Sequence, residues 1–222
     1  MPTIHGLAEK AAGYIARELG IDKPKEGMLT FGLELLLGST LEFALIMALA
    51  CFFGIFRETL ILVLTAGILR LVSGGEHCRA YYRCLIGGTV FFLLMGWLVK
   101  WLNSIITYRN IVLLVIISFI AVLVVIWKYA PGETENKPLT EKDKVRGKRL
   151  SFAVAGIFFV VVILLSILKV DQGYGLPVLT GMLCQAFTLT PRGYRFIRWV
   201  DGMLSFRDQG GDSGGLEGSD SR

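Results

Sequence analysis

The chain is short of charge. Only 18% of its 222 residues are Asp, Glu, Lys or Arg, against 54% hydrophobic, and the mean hydropathy is +0.61. The apolar residues fall in long blocks rather than at amphipathic spacing, which excludes an ordinary soluble domain. The four cysteines, Cys51, Cys78, Cys84 and Cys184, include no Cys-x-x-Cys pair, so neither a zinc ribbon nor a dithiol redox centre is suggested. The first residues lack the basic start, short apolar core and small-residue cleavage site of a secretory signal, and none is expected. No internal repeat is evident. Nothing resembles a base-reading motif, so the net charge of +5 points away from nucleic acid and towards the orientation of loops in a bilayer.

What is present is a series of apolar runs, at 29–56, 59–69, 85–99, 111–127, 151–168 and 176–189. They predict an all-α integral membrane protein of about six transmembrane helices. The first run is interrupted by Glu34 and Glu42, with Arg57-Glu58 marking a turn after it. The second, of eleven residues, needs its flanks to cross. Ahead of them, Ile4, Leu7, Ala8, Ala11, Ile15 and Leu19 repeat at helical spacing with Glu9, Lys10, Arg17 and Glu18 opposite. This is an N-terminal amphipathic helix, lying on the membrane surface or packed on other protein. The expected organisation is 1–27 for that helix and its loop, and 28–190 for the transmembrane domain with a central segment 70–84 and a basic loop 128–149. A basic interfacial helix at 191–208 and a disordered Gly/Ser/Asp tail at 209–222 follow.

With six crossings and both termini inside, nineteen of the 23 basic residues fall on the cytoplasmic side, and only Arg57, Lys100, Arg109 and Lys169 outside. That orientation places segment 70–84 at the cytoplasmic face. The segment crowds Arg70, Arg79, Arg83, Glu76, Gly74-Gly75, His77, Cys78 and Cys84 between two apolar runs. His77 and Cys84 are a candidate base and nucleophile: a thiol reacts as thiolate, and a neighbouring imidazole takes its proton or stabilises its charge. On one unbroken helix they would share a face but stand about 10 Å apart along the axis. The backbone between them must therefore bend, unless a partner subunit supplies one member. Taken alone, such a pair fits incidental placement equally well. Cys78 is a rival nucleophile, and a metal site of His77, Cys78 and Cys84 lacks a fourth ligand and any usual zinc spacing.

Arg70-x-x-x-Gly74-Gly75-x-His77 followed by Cys84 resembles the signature of the accessory gene regulator protein B (AgrB) family, membrane cysteine endopeptidases of bacterial quorum sensing. The likeness extends to Gly32-Leu33-Glu34, to the stretch 130–139 and to Gln185-Ala186-Phe187-Thr188-Leu189-Thr190-Pro191, and covers roughly residues 1–200. The resemblance implies a partner, a short amphipathic precursor of the AgrD type. The precursor's acidic C-terminal part is cut off, its upstream part is held as an acyl-thioester, and an internal thiol closes a thiolactone ring to give an autoinducing peptide. By matching position Cys84 is the nucleophile and His77 the general base or acid, with Arg70 and Gly75 as supporting positions. Neither a metal nor another cofactor is implied.

Glu34 is expected to pair with Arg70 or to orient His77, and Gln185 to orient the imidazole or donate to an oxyanion. Arg79, Arg83, Lys142 and Lys144 are expected to hold the acidic peptide end. Ser73 and Glu76 read as solvated neighbours, and Glu42 and His5 as packing or surface residues. Membrane lipids and a second copy of the chain, as a homodimer, are the other expected partners. Two rival classes remain: a membrane transporter or scaffold for peptide export with incidental cysteines, and a thiol oxidoreductase, which a reducing cytoplasm disfavours.

Overall fold

In lipid every backbone polar group must be satisfied within the spanning segment, so long apolar runs become helices. The computed structural model describes residues 4–75, 81–106, 108–132, 140–167 and 173–205. Their order is α1 (Ile4–Leu19), α2 (Lys23–Phe52), α3 (Phe56–Ser73), α4 (Tyr81–Ile105), α5 (Tyr108–Tyr129), α6 (Glu141–Ile167), α7 (Gly175–Leu189) and α8 (Pro191–Ser205). Among the described residues three of these, α2, α4 and α6, are long and apolar enough to cross a membrane, and the apolar stretches Leu113–Tyr129 of α5 and Gly175–Leu189 of α7 are shorter.

α3 is the centre of the bundle. It packs most extensively on α7, and also on α2, α4 and α6. Its buried residues include Glu58, Thr59, Thr65 and Ser73 beside Leu62 and Leu69, a polar content that suits a helix surrounded by protein rather than lipid. Small residues let the helices close on it. A Cβ at Gly181 of α7 would stand 2.6 Å from the Leu62 carbonyl oxygen, and one at Gly96 of α4 would collide with Thr59. Leu62, Leu69, Val122, Ile126, Val162 and Met182 form the apolar heart of the contact.

Several boundaries differ from the sequence expectation. The first run does not continue to residue 56: α2 stops at Phe52, and a turn through Gly54 at φ +65° separates it from α3. Arg57 and Glu58 are not that turn but the first turn of α3, ion-paired at 3.2 Å. The second run gains a turn at either end and becomes an 18-residue helix, about 27 Å long. Residues 103–110, polar in sequence between the third and fourth apolar runs, are mostly helical, because α4 runs to Ile105 and α5 starts at Tyr108. The basic stretch 128–149 is helical from Glu141. Thr140 starts that helix by accepting from the Asp143 amide at 3.3 Å and donating its hydroxyl to the Asp143 carboxylate at 2.6 Å. The alanine face of α1, at Ala8, Ala12 and Ala16, is buried where α1 packs on α2, leaving Leu7, Tyr14 and Leu19 exposed. The tail 209–222 lies outside the described residues.

Candidate active site

Two glycines end α3. The Gly74 amide still bonds the Arg70 carbonyl at 2.9 Å, but Gly74 and Gly75 then take φ +70° and +141°, backbone that side-chain-bearing residues rarely adopt. The chain leaves the α3 axis here, and α4 is described from Tyr81. Arg70 is thus on the last turn of α3 and Cys84 on the helix that follows. This break lies ahead of position 77, and the segment 76–80, where a bend between positions 77 and 84 is expected, lies outside the described residues. His77, with Glu76, Cys78 and Arg79, lies outside the described residues.

The break is held from two sides. Gln185 of α7 is 2% exposed, and its amide nitrogen donates to the Ser73 hydroxyl at 2.9 Å and to the Gly74 carbonyl at 2.8 Å. Both amide hydrogens are engaged, so Gln185 holds the backbone leading to His77, and no N–H is left to give an oxyanion. Thr188 supports it, with its hydroxyl 2.8 Å from the Gln185 carbonyl and 3.2 Å from the side-chain oxygen. On the other side the Gly132 amide donates to the Ser73 carbonyl at 2.8 Å, pairing Gly74 with Gly132 in an isolated parallel bridge. Ser73 is accordingly fully buried, not the solvated neighbour its sequence setting suggested. Arg70 lies across Gly75, where a Cβ would stand 3.3 Å from a guanidinium nitrogen.

Cys84 is a partly buried thiol outside any disulfide, near the amino-terminal end of the described part of α4. The carboxylate beside it is Glu42. From α2, Glu42 presses its side chain onto Gly88, one turn beyond Cys84 on the same face of α4, and it lies within Coulombic reach of both Cys84 and Arg70. Sequence reading had assigned Glu42 to packing; the signal available was a carboxylate inside an apolar run and a Gly87-Gly88 pair one turn after the cysteine. Glu34, expected beside Arg70, instead bonds His5 at 3.0 Å. It lies eight residues from Glu42 along α2, about 12 Å.

Arg83 reaches Asp201 of α8 at 3.5 Å, with both side chains about seven-eighths buried, and its Nε donates to the Tyr82 hydroxyl at 3.0 Å. This pair ties α8 to α4 next to the cysteine, and the guanidinium expected to meet substrate is committed to it. Lys142 is exposed on the first turn of α6, and Lys144 pairs with Glu141 at 3.1 Å. Among the described residues no cluster of His, Cys, Asp and Glu has a metal-binding arrangement.

The model of the family described as "Accessory gene regulator B" matches residues 8–189. A putative AgrB-like protein of Clostridium perfringens is 30% identical over 208 residues, covering 89% of this chain and 96% of that one. The accessory gene regulator protein B of Staphylococcus lugdunensis is 27% identical over 192 residues, 86% of this chain and 96% of its own. That of Staphylococcus aureus (strain MRSA252) is 25% identical over 186 residues, 84% and 94% respectively. No solved structure matches. The matched span contains both sides of the α3–α4 break, Gln185 and Glu42, and the chain belongs to the accessory gene regulator B family.

Proposed function

We propose that the protein is a membrane cysteine endopeptidase that cleaves an AgrD-type precursor near its acidic C-terminal part and closes the upstream part into a thiolactone. The observation that carries this reading is the double-glycine break that ends the helix of Arg70 ahead of the helix bearing Cys84, in a chain of this family. The Cys84 sulfur attacks the scissile carbonyl, the C–N bond breaks, and His77 delivers to the leaving amine the proton it took from the thiol. The product is an acyl-thioester on Cys84 and a free acidic fragment. A thiolate within the precursor then attacks that carbonyl and expels the Cys84 thiolate. One thioester replaces another, so the exchange runs at little free-energy change, whereas water would discard the activation. Helix packing around the site and its position at the membrane boundary serve to keep water out.

Glu42 and Arg70 set the charge around the sulfur, and Gln185 with Gly132 holds the backbone before His77. Arg79 and Lys142 meet the acidic end of the precursor. Six crossings, α2 to α7, put these groups at the cytoplasmic face and nineteen of 23 basic residues inside; α3 crosses surrounded by protein. Cleavage of a tagged precursor, read on a gel, tests the enzyme. Cys84→Ala and His77→Ala should each abolish it with the protein still in the membrane, and full cleavage by Cys84→Ala would overturn the assignment. Labelling of a single cysteine at position 140 from outside intact cells would overturn the orientation.

A further inference from the structure

Beyond Gly132, on the side away from α3, the structure contains a cavity of about 800 Å³ between the end of α5, residues 130–132, the first turns of α6, and α8. Five cations from three separate chain segments converge on it: Lys128, Lys144, Lys148, Arg195 and Arg198. Among the described residues that line it none is acidic, and Glu141, the partner of Lys144, has a side chain that is 87% exposed. Loop orientation accounts for basic residues on this face, and Lys128 at the carboxyl end of α5 offsets that helix's dipole. Neither effect requires basic side chains of three separate segments to line one cavity, and Lys and Arg donors arranged in this way suit a phosphate.

The level of the cavity says which anion. Lys128 directly follows Trp127, the last apolar residue of α5, and Lys148 stands three residues ahead of Ser151, where the apolar part of α6 begins. α8 exposes Phe196, Trp199 and Met203 while placing Arg195 and Arg198 on the cavity, as an interfacial helix does. Tyr129 and Tyr194 add rings of the kind that settle at headgroup depth. The opening therefore lies at the height of lipid phosphates. Its volume is in the range of small-molecule sites, and Pro131, Val145 and Leu189 give it an apolar wall against which a glycerol backbone can rest.

We propose that this cavity binds the phosphate of an anionic phospholipid headgroup. The proposal is independent of the peptidase reading and needs only that the helices sit in a bilayer. A zwitterionic choline headgroup would carry its own cation into a site already holding five, so the cavity discriminates by net charge. Occupancy joins α5, α6 and α8 around Gly132, whose amide bonds Ser73, and so braces the α3–α4 break from behind.

The test uses the full chain in nanodiscs of phosphatidylcholine doped with phosphatidylglycerol, with co-retained lipid counted by native mass spectrometry. The wild type should retain phosphatidylglycerol over phosphatidylcholine by at least tenfold. Each cation at the site is worth about fivefold in anionic-lipid binding, so Lys148→Ala with Arg195→Ala should abolish the tenfold preference. Lys148→Arg with Arg195→Lys, which keeps the charge, should retain the preference, as should Arg192→Ala, an exposed cation on α8 that does not line the cavity. No lipid preference in the wild type, or equal retention by the alanine double variant, overturns the proposal. Displacement of the lipid by inorganic phosphate would make this a free-anion site, and displacement by a soluble acidic peptide a peptide site. Either result also overturns it.

Discussion

Glu42 of α2 packs its carboxylate on the backbone of Gly88, one helical turn beyond Cys84. A methyl group at position 88 would occupy the place of that carboxylate. Gly88→Ala should therefore push Glu42 off α4, and overpacking of this kind costs roughly 1–3 kcal/mol. Precursor cleavage should fall about tenfold or more while the protein still accumulates in the membrane. Glu42→Ala in the Gly88→Ala background should relieve the crowding without restoring cleavage, because the carboxylate itself is then gone. A Gly88→Ala enzyme with wild-type cleavage would show that the carboxylate has no part in the site.

Arg83 and Asp201 form the one described ion pair between α4 and α8, and each side chain is mostly buried. Removing either partner leaves the other charge without compensation, which costs more than an exposed pair would. A hydrogen bond to a charged group is worth about 1.5–3 kcal/mol. For a chain of this size Arg83→Ala and Asp201→Ala should each lower the Tm in detergent by roughly 5 °C. The double variant should be less destabilised than the sum of the singles, and strict additivity would mean the two side chains do not interact.

The helices were legible because apolar runs of that length have no other stable form in lipid. Their ends were not, since a helix continues through polar residues wherever protein covers them, as α3 does through Glu58 and Ser73. The role of position 84 came from the family resemblance rather than from any local pattern, and the thiol lies on the helix that follows the double-glycine break. The neighbours of the cysteine were harder to read. Glu34 and Glu42 differ by eight residues in one helix, and only the packing of α2 on α1 and α4 decides that the first meets His5 and the second Gly88. Arg83 looked like a substrate cation because its partner is 118 residues away in the chain, a separation at which no local pattern reports contact.

Gln185 contributes two hydrogen bonds to the α3–α4 break. Gln185→Leu keeps the volume but leaves the Ser73 hydroxyl and the Gly74 carbonyl without this partner, at about 1–3 kcal/mol for each buried group left unsatisfied. The variant should show faster amide exchange at positions 74 and 75 and slower precursor cleavage. Its reactivity towards a small alkylating agent at Cys84 should change little, because the thiol is on the next helix. Unchanged exchange at 74 and 75 would contradict the holding role.

His5 and Glu34 join α1 to α2 through a 3.0 Å contact. The hydrogen bond to the Glu34 carboxylate, and then its charge, raise the His5 pKa above the usual 6.5. A histidine whose folded pKa is raised contributes its stabilisation in full below the unfolded value and loses it as pH climbs through the folded value. The α1–α2 contact should accordingly tighten on acidification, and spin labels on the two helices should report a narrower distance distribution at pH 5.5 than at pH 8.5. His5→Gln should abolish that pH dependence, leaving a distribution like the alkaline wild type at both values. The imidazole is 63% exposed, so solvent screening keeps the effect small and local to α1. A pH response of equal size in His5→Gln would assign it to another group.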